Sequence, residues 1–152
     1  MFEKYLNNRL LTLYLIPFIL GSLTTLSFQP FNISVINLII FPLFFYLTIY
    51  ISKKSKSVYR KKPLRKNLCI FGLLVGFGFY LSGISWIINS LTFDENFKIL
   101  IPFALILIPI FLSLFIALPI LFIGPYLNLN FYSLLFFSLL LAFSVYFRSY
   151  VL

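Results

Sequence analysis

Five long apolar runs alternate with short polar segments along the chain, and no charged side chain interrupts any run. Each run is close to the ~20 residues that an α-helix needs to cross a bilayer. Helices are expected because lipid offers backbone N–H and C=O groups no partner outside their own segment. The apolar runs are residues 10–28, 33–51, 68–91, 99–123 and 131–147.

This pattern predicts an all-α fold, a polytopic membrane helix bundle with about five transmembrane helices. A β-barrel is a poor alternative, because the runs lack the alternation of barrel strands and are about twice their length. The stretch "SFQPFN" after the first run predicts a tight turn between two helices. No linker is long enough to separate two domains, so residues 1–152 are predicted to form a single transmembrane domain.

The composition agrees with a lipid environment. Hydrophobic residues make up 62% of the 152 residues and charged residues 10%, with a mean hydropathy of +1.07. Soluble domains are about half apolar and about a quarter charged. A folded chain of this size leaves much of its surface exposed, so a water-soluble core cannot absorb this much apolar surface.

Positive charge is concentrated in one segment. The net charge is +9, and eight of the twelve lysines and arginines lie in residues 52–67. Between two apolar runs, such a segment is typical of a cytoplasmic loop, which places the N-terminus on the cytoplasmic side too. Nucleic-acid binding is the alternative for a basic segment, but this position favours the membrane, so no nucleic-acid partner is expected. The cations predicted to contact anionic lipid are Lys53, Lys54, Lys56, Arg60, Lys61, Lys62, Arg65 and Lys66.

Few residues of the chain offer chemistry. There is no histidine and one cysteine, Cys69, which excludes Ser-His and Cys-His nucleophile pairs and most zinc sites. Cys69 is predicted to be a small structural residue. The adjacent Asp94 and Glu95 are predicted to form a solvated loop rather than an acid–base pair. No catalytic residue, metal site or cofactor is predicted.

Four glycines lie in the third run, where their poor helix propensity requires a physical reason. On one continuous helix, Gly72, Gly76 and Gly83 fall on one stripe, while Gly78 lies on the opposite side. Small residues let a neighbouring backbone approach closely in lipid. We therefore predict that the four glycines are helix contacts, with Gly78 admitting a second neighbour.

Two interpretations stay open for the outer end of that stripe, where Trp86 and Ser90 lie. The residues alone favour a central packing helix with Trp86 as an interface anchor. The alternative is that Trp86 and Ser90 line a lateral cleft for a lipid. Arg148 is predicted at the outer surface, where it either contacts a phosphate head group or only extends to the interface.

Three motifs point to one family: "LSFQPFN" at the first hairpin, the glycine-rich stretch after the basic segment, and an aromatic-x-Arg that ends at Arg148. In this order and spacing they resemble the N-terminal membrane domain of bacterial apolipoprotein N-acyltransferases, over essentially the whole chain. The second motif is G-x-x-x-G-F-G-x-x-x-x-G-x-x-W-(I/V)-x-x-S, found here at Gly72, Gly76, Phe77, Gly78, Gly83, Trp86, Ile87 and Ser90.

The resemblance implies a bacterial inner-membrane enzyme of eight helices with a nitrilase-like domain outside the membrane. A Glu-Lys-Cys set in that domain takes an acyl chain from a phospholipid and passes it to the N-terminal cysteine of a lipoprotein. This chain departs from the pattern, because it ends near the fifth helix, Val145 replaces a carboxylate, and Asp94-Glu95 replaces a glycine pair. No residue of the catalytic set can be carried over.

We therefore expect the N-terminal membrane domain of an apolipoprotein N-acyltransferase-like protein, either a fragment or one part of a split gene. The expected role is anchoring and lipid access, without activity of its own. Expected partners are membrane phospholipid, the missing C-terminal helices with the nitrilase-like domain, and a lipoprotein substrate through that domain. The alternative is a free-standing membrane scaffold or transporter-like protein. Transporters usually need ionisable groups within the membrane, and the five runs have none.

Overall fold

The computed structural model describes residues 10–28, 31–55, 62–91 and 101–151, with the backbone alone at residues 62–63 and 85–91. Over these residues the chain forms helices joined by short turns and contains no β-strand. The predicted all-α fold is confirmed. The helices are α1 at Ile16–Thr24, α2 at Val35–Ser55, α3 at Lys62–Leu91, α4 at Ile101–Ile123 and α5 at Phe131–Val151.

The first helical segment is irregular at both ends. A π-helical turn at Leu11–Leu15 precedes α1, and a 3-10 turn at Thr25–Ser27 follows it. Pro17 lacks the N–H that a regular helix needs at this position, which accounts for the wider turn before it. The predicted helix at 10–28 is therefore a composite rather than one regular α-helix.

Hydrogen bonds join the residues before α2 to the end of the first segment; Gln29 and Pro30 of the predicted turn lie outside the described residues. Asn32 has a φ of 55°, in the left-handed region that asparagine tolerates better than most residues. Its N–H donates to the Phe28 carbonyl at 3.0 Å, and the Ile33 N–H donates to the Leu26 carbonyl at 3.1 Å. These bonds satisfy carbonyl groups that the end of the helix leaves without partners.

Helices α2 and α3 extend into the basic segment. The sequence predicts a loop at 52–67, but α2 continues to Ser55 and α3 begins at Lys62. Lysine and arginine are good helix formers, so hydrophobicity alone underestimates the helix length here. We call this side of the bundle the basic end and the other side the opposite end. The described exposed cations of the basic end are Lys53, Lys54, Arg65 and Lys66.

Four helical stretches are long and apolar enough to cross a membrane. They are Val35–Ser55, Leu64–Ile84, Ile101–Tyr126 and Phe131–Val151. The composite first segment, Leu11–Ser27, is apolar but shorter. Among the described residues, the five predicted crossings therefore correspond to four full-length spans and one shorter apolar segment.

Helix α3 lies at the centre of the bundle, with α1 parallel to it on one side and α4 antiparallel on the other. Aromatic rings of α2 and α5 pack with a ring of α3 to form part of the core. The ring centroid of Phe137 lies 5.4 Å from that of Phe44 and 5.5 Å from that of Phe45. Phe44 in turn stacks on Phe71 of α3 at 5.6 Å. This cluster holds α2 and α5 against the central helix.

Candidate functional site

A cavity of about 400 Å³ lies between the helices and extends toward the opposite end. All five helices contribute to its wall, which is mostly aliphatic and aromatic. Its volume lies in the range of small-molecule sites, about 300–1,000 Å³. The wall consists of Leu20, Thr24, Phe28, Asn37, Ile40, Phe41, Phe44, Val75, Phe79, Ile116, Ser138, Leu141, Ala142 and Val145.

Three polar side chains line this cavity, and two of them are bonded to their own helices. The Thr24 hydroxyl donates to the Gly21 and Leu20 carbonyls, and the Ser138 hydroxyl donates to the Leu134 carbonyl at 2.7 Å. Asn37 differs, because its Oδ1 atom is buried and has no hydrogen-bond partner. The Asn37 oxygen is therefore an unsatisfied acceptor buried at the cavity wall.

Glycines set the distance between α3 and its two neighbours. A Cβ added to Gly72 would lie 2.7 Å from the Ala117 Cα atom, and one added to Gly76 would lie 2.7 Å from the Ser113 Cα atom. Contacts this short leave no room for a side chain. Gly72 and Gly76 thus lie directly against α4, the close backbone approach that small residues permit in lipid.

The other side of α3 approaches α1 through Gly78. A Cβ added there would collide with the Phe18 carbonyl oxygen and lie 3.2 Å from the Ser22 backbone nitrogen. Gly21 of α1 makes the reciprocal contact, since a Cβ on it would meet the Val75 carbonyl and lie 2.9 Å from the Phe79 nitrogen. Gly78 therefore serves a second neighbour, on the side opposite Gly72 and Gly76.

Gly83 lies on the same stripe, but among the described atoms it does not make the close helix contact that is predicted for all four glycines. It is exposed, and among the described atoms a Cβ added to it would meet only Thr25 Cγ2, at an ordinary 3.7 Å. Two packed helices cross at an angle, so close approach is confined to the turns around the crossing point. Sequence spacing places Gly83 on the stripe but cannot locate that crossing.

Sequence reasoning missed the residues on the other side of both contacts. Ser113 and Ala117 are the small residues of α4 that face the α3 glycines, and they stand four residues apart, as the glycines do. In the first segment, the run from Gly21 to Thr25 is rich in small residues. The Ser22 hydroxyl there donates to the Gly78 carbonyl at 3.4 Å. Small residues at four-residue spacing on two helices were the available signal.

Arg148 lies at the opposite end, one turn beyond the cavity residue Val145. Its guanidinium carbon is 5.2 Å from the centroid of the Tyr80 ring, which is 4% exposed. A cation over an aromatic face at this distance is attracted by the ring. The contact joins the last turns of α5 to α3 and holds a positive charge near the end of the cavity.

The remaining predicted site residues lie elsewhere or outside the described part of the chain. Cys69 is a free, partly buried thiol near the basic end. The α3 backbone continues through Trp86 and Ser90, but their side chains lie outside the described residues, so the two interpretations of that stripe stay open. Lys62 is described only as backbone, and the other predicted residues outside the description are Lys56, Arg60, Lys61, Asp94 and Glu95.

In chemical terms, the described cavity wall can hold an apolar chain, and its residues include no cysteine, lysine, arginine or acidic residue. Its polar groups are hydroxyls and an amide. Within the described ranges, no group of three or more histidine, cysteine or acidic residues is placed to hold a metal ion.

Comparison with known proteins gives matches to one family. The family model of the apolipoprotein N-acyltransferase N-terminal domain matches residues 20–152. Proteins named apolipoprotein N-acyltransferase from Brucella melitensis biotype 1 and Brucella suis biovar 1 are each 33% identical to this chain over 103 residues. That stretch covers 66% of this chain and 19% of each relative, so the chain matches about a fifth of their length. No solved structure matches the chain.

Proposed function

The chain belongs to the family of apolipoprotein N-acyltransferase N-terminal domains, and we propose that it supplies the membrane part of an N-acyltransferase that modifies lipoproteins. In this role it anchors a nitrilase-like catalytic domain, together with further helices, to the bacterial inner membrane. It also gives a membrane phospholipid access to that domain. The observation that carries the proposal is the apolar cavity between the five helices.

The cavity wall fits a hydrocarbon chain. Apolar side chains from every helix line it, so an acyl chain entering from the bilayer exchanges lipid contacts for protein contacts at little cost. An acyl donor of the phospholipid class has long apolar tails that suit this wall and polar groups at one end.

Arg148 supports the same assignment from the polar side. It follows Val145 by three residues, so the two side chains lie on one face of α5. A phospholipid whose tail occupies the cavity brings its phosphate toward this end, where the guanidinium can bind it. The proposed orientation has a cytoplasmic N-terminus and the opposite end in the outer leaflet, on the side where lipoproteins are modified.

Acyl transfer itself is assigned to the nitrilase-like domain and not to this chain. The described residues place no nucleophile or base at the cavity, and Cys69 lies near the basic end. We expect the chain alone to insert into membranes and to acylate nothing. Co-expression with the remaining part of an apolipoprotein N-acyltransferase should restore lipoprotein N-acylation, read by mass spectrometry of a lipoprotein N-terminus. Acylation by the chain alone, or no rescue, would contradict the proposal.

Photolabelling tests the cavity directly. The purified chain is reconstituted with a phospholipid that carries a diazirine in its acyl chain, and the labelled residues are mapped by mass spectrometry. Labelling is expected at wall residues such as Ile116 and Leu141. Ala142→Phe, which places a ring in the cavity, should abolish most of this labelling.

The matched control for Ala142→Phe is Leu139→Phe on the same helix. Leu139 is 67% exposed and does not line the cavity, so labelling of the wall should be unchanged in that variant. Equal labelling of all exposed apolar residues, with no response to Ala142→Phe, would mean that lipid only surrounds the bundle. A free-standing scaffold would then be the better interpretation.

A further inference from the structure

Among the described residues, the basic end carries four exposed cations, on two helices that a hydrogen bond links near their ends. Lys53 and Lys54 lie in the last turn of α2, and Arg65 and Lys66 lie near the start of α3. The Asn67 side-chain nitrogen donates to the Ser55 hydroxyl at 2.8 Å and links the two helices. The cations therefore project from adjoining helix ends rather than from an unstructured loop.

The sequence supplies few acidic residues that could neutralise this cluster. The chain has three: Asp94 and Glu95 follow the far end of α3, and Glu3 is near the N-terminus, outside the described residues. That helix has 30 residues, so its ends are about 45 Å apart. Its first turn contains no acidic residue. The cluster attracts anions from outside the chain.

Tyrosines at the same end indicate the level of the membrane–water interface. Tyr126 and Tyr132 are 81% and 83% exposed, and Tyr50 lies one turn before Lys54 on α2. Exposed tyrosines of membrane helices concentrate at the head-group level. The Lys54 ammonium lies 3.4 Å from the Tyr50 hydroxyl and 5.4 Å from its ring centroid. The cations are thus placed at the depth of lipid phosphates.

We propose that the basic end is a binding site for the phosphate groups of anionic phospholipids, formed by the end of α2 and the start of α3. The positive charge and the position of the exposed tyrosines at the membrane–water interface favour a membrane lipid over a soluble polyanion. The site is distinct from the cavity, lies at the other end of the bundle, and does not depend on acyl transfer. Each cation near an anionic leaflet contributes about fivefold to binding.

Native mass spectrometry from micelles that contain equal amounts of phosphatidylglycerol and phosphatidylcholine tests this site. The natural chain should retain phosphatidylglycerol preferentially. The variant K53Q/K54Q/R65Q/K66Q should lose this preference by about tenfold or more. The matched control is K53R/K54R/R65K/K66R, which preserves every charge and should keep the preference. Equal retention of both lipids by the natural chain, or an unchanged preference in the glutamine variant, would overturn the proposal.

Two further measurements keep the test decisive if the glutamine variant does not fold. Raising the salt concentration should reduce the preference of the natural chain, because salt screens exposed charges. Inorganic phosphate and single-stranded RNA, added as competitors, should displace little phosphatidylglycerol. Strong displacement by RNA would show that the cluster binds soluble polyanions and would overturn the lipid assignment. A preference that does not respond to salt would also overturn it.

Discussion

Gly76 of α3 lies directly against Ser113 of α4, so that a Cβ atom added to Gly76 would come within 2.7 Å of the Ser113 Cα atom. Gly83, on the same helix, is exposed, and a Cβ there would meet Thr25 Cγ2 at 3.7 Å. Both positions are glycines of α3, but a neighbouring helix approaches Gly76 much more closely than Gly83. They form a matched pair for testing the α3–α4 contact.

Gly76→Leu should destabilise the bundle strongly, because α4 must move away to admit the side chain. Overpacking of this kind costs about 1–3 kcal/mol or more. Gly83→Leu should leave stability unchanged or raise it by up to about 1 kcal/mol, because leucine is the better helix former. Thermal unfolding in detergent, followed by circular dichroism, measures both variants. Equal stability of the two would show that α3 and α4 do not approach each other as described.

Phe137→Ala should destabilise the α2–α5 contact. The Phe137 ring is 1% exposed and contacts the rings of Phe44 and Phe45, so its removal leaves a cavity that costs about 2 kcal/mol or more. The control is Phe136→Ala on the same helix, where the ring is 56% exposed and the expected cost is small. Denaturant titration in micelles compares the two, and a larger loss for Phe136→Ala would contradict the described orientation of α5.

Asn37→Leu should stabilise the chain in the absence of lipid. The Asn37 Oδ1 atom is buried without a hydrogen-bond partner, and such a group costs about 1–3 kcal/mol. Asn128→Leu is the control, because Asn128 is exposed and its replacement should be nearly neutral. The measurement is the melting temperature in a lipid-free detergent. A marked loss of stability in Asn37→Leu would show that the amide has a partner within the protein.

A double-mutant cycle measures the contact between Tyr80 and Arg148. Tyr80→Leu and Arg148→Met each remove the attraction of the guanidinium to the ring, so their combined effect should be less than additive. The expected coupling is about 0.5–2 kcal/mol. The same cycle with Tyr146, an exposed residue of α5, should give a coupling near zero. Additive effects of the two substitutions would show that Tyr80 and Arg148 do not interact.

Much of the fold could be predicted from the sequence because lipid imposes a simple rule. Uncharged runs of membrane length have to be helices, and the structure has a helix in each predicted run. The helix boundaries were less predictable where a segment has low hydropathy but high helix propensity. Ser55 and Lys62 are polar, yet both belong to helices that extend beyond their apolar runs.

The candidate site could be predicted only in part. Glycine spacing indicates that α3 has close neighbours, but it does not say which helices they are or where the crossing points lie. Gly83 shows the limit, because it lies on the stripe but no described α4 atom lies within 4 Å of a Cβ atom built on it. The cavity depends on residues from five helices, such as Asn37 and Val145, that are far apart in sequence. Tertiary packing brings these residues together, and no single segment of the sequence predicts that packing.

The contact between α1 and α3 has a consequence for biosynthesis. Gly21 of α1 matches the α3 backbone near Val75 and Phe79, which the ribosome makes more than fifty residues later. As the polypeptide emerges, the first hairpin therefore leaves the ribosome ahead of its partner α3. We expect α3 to pack beside a hairpin that precedes it into the bilayer.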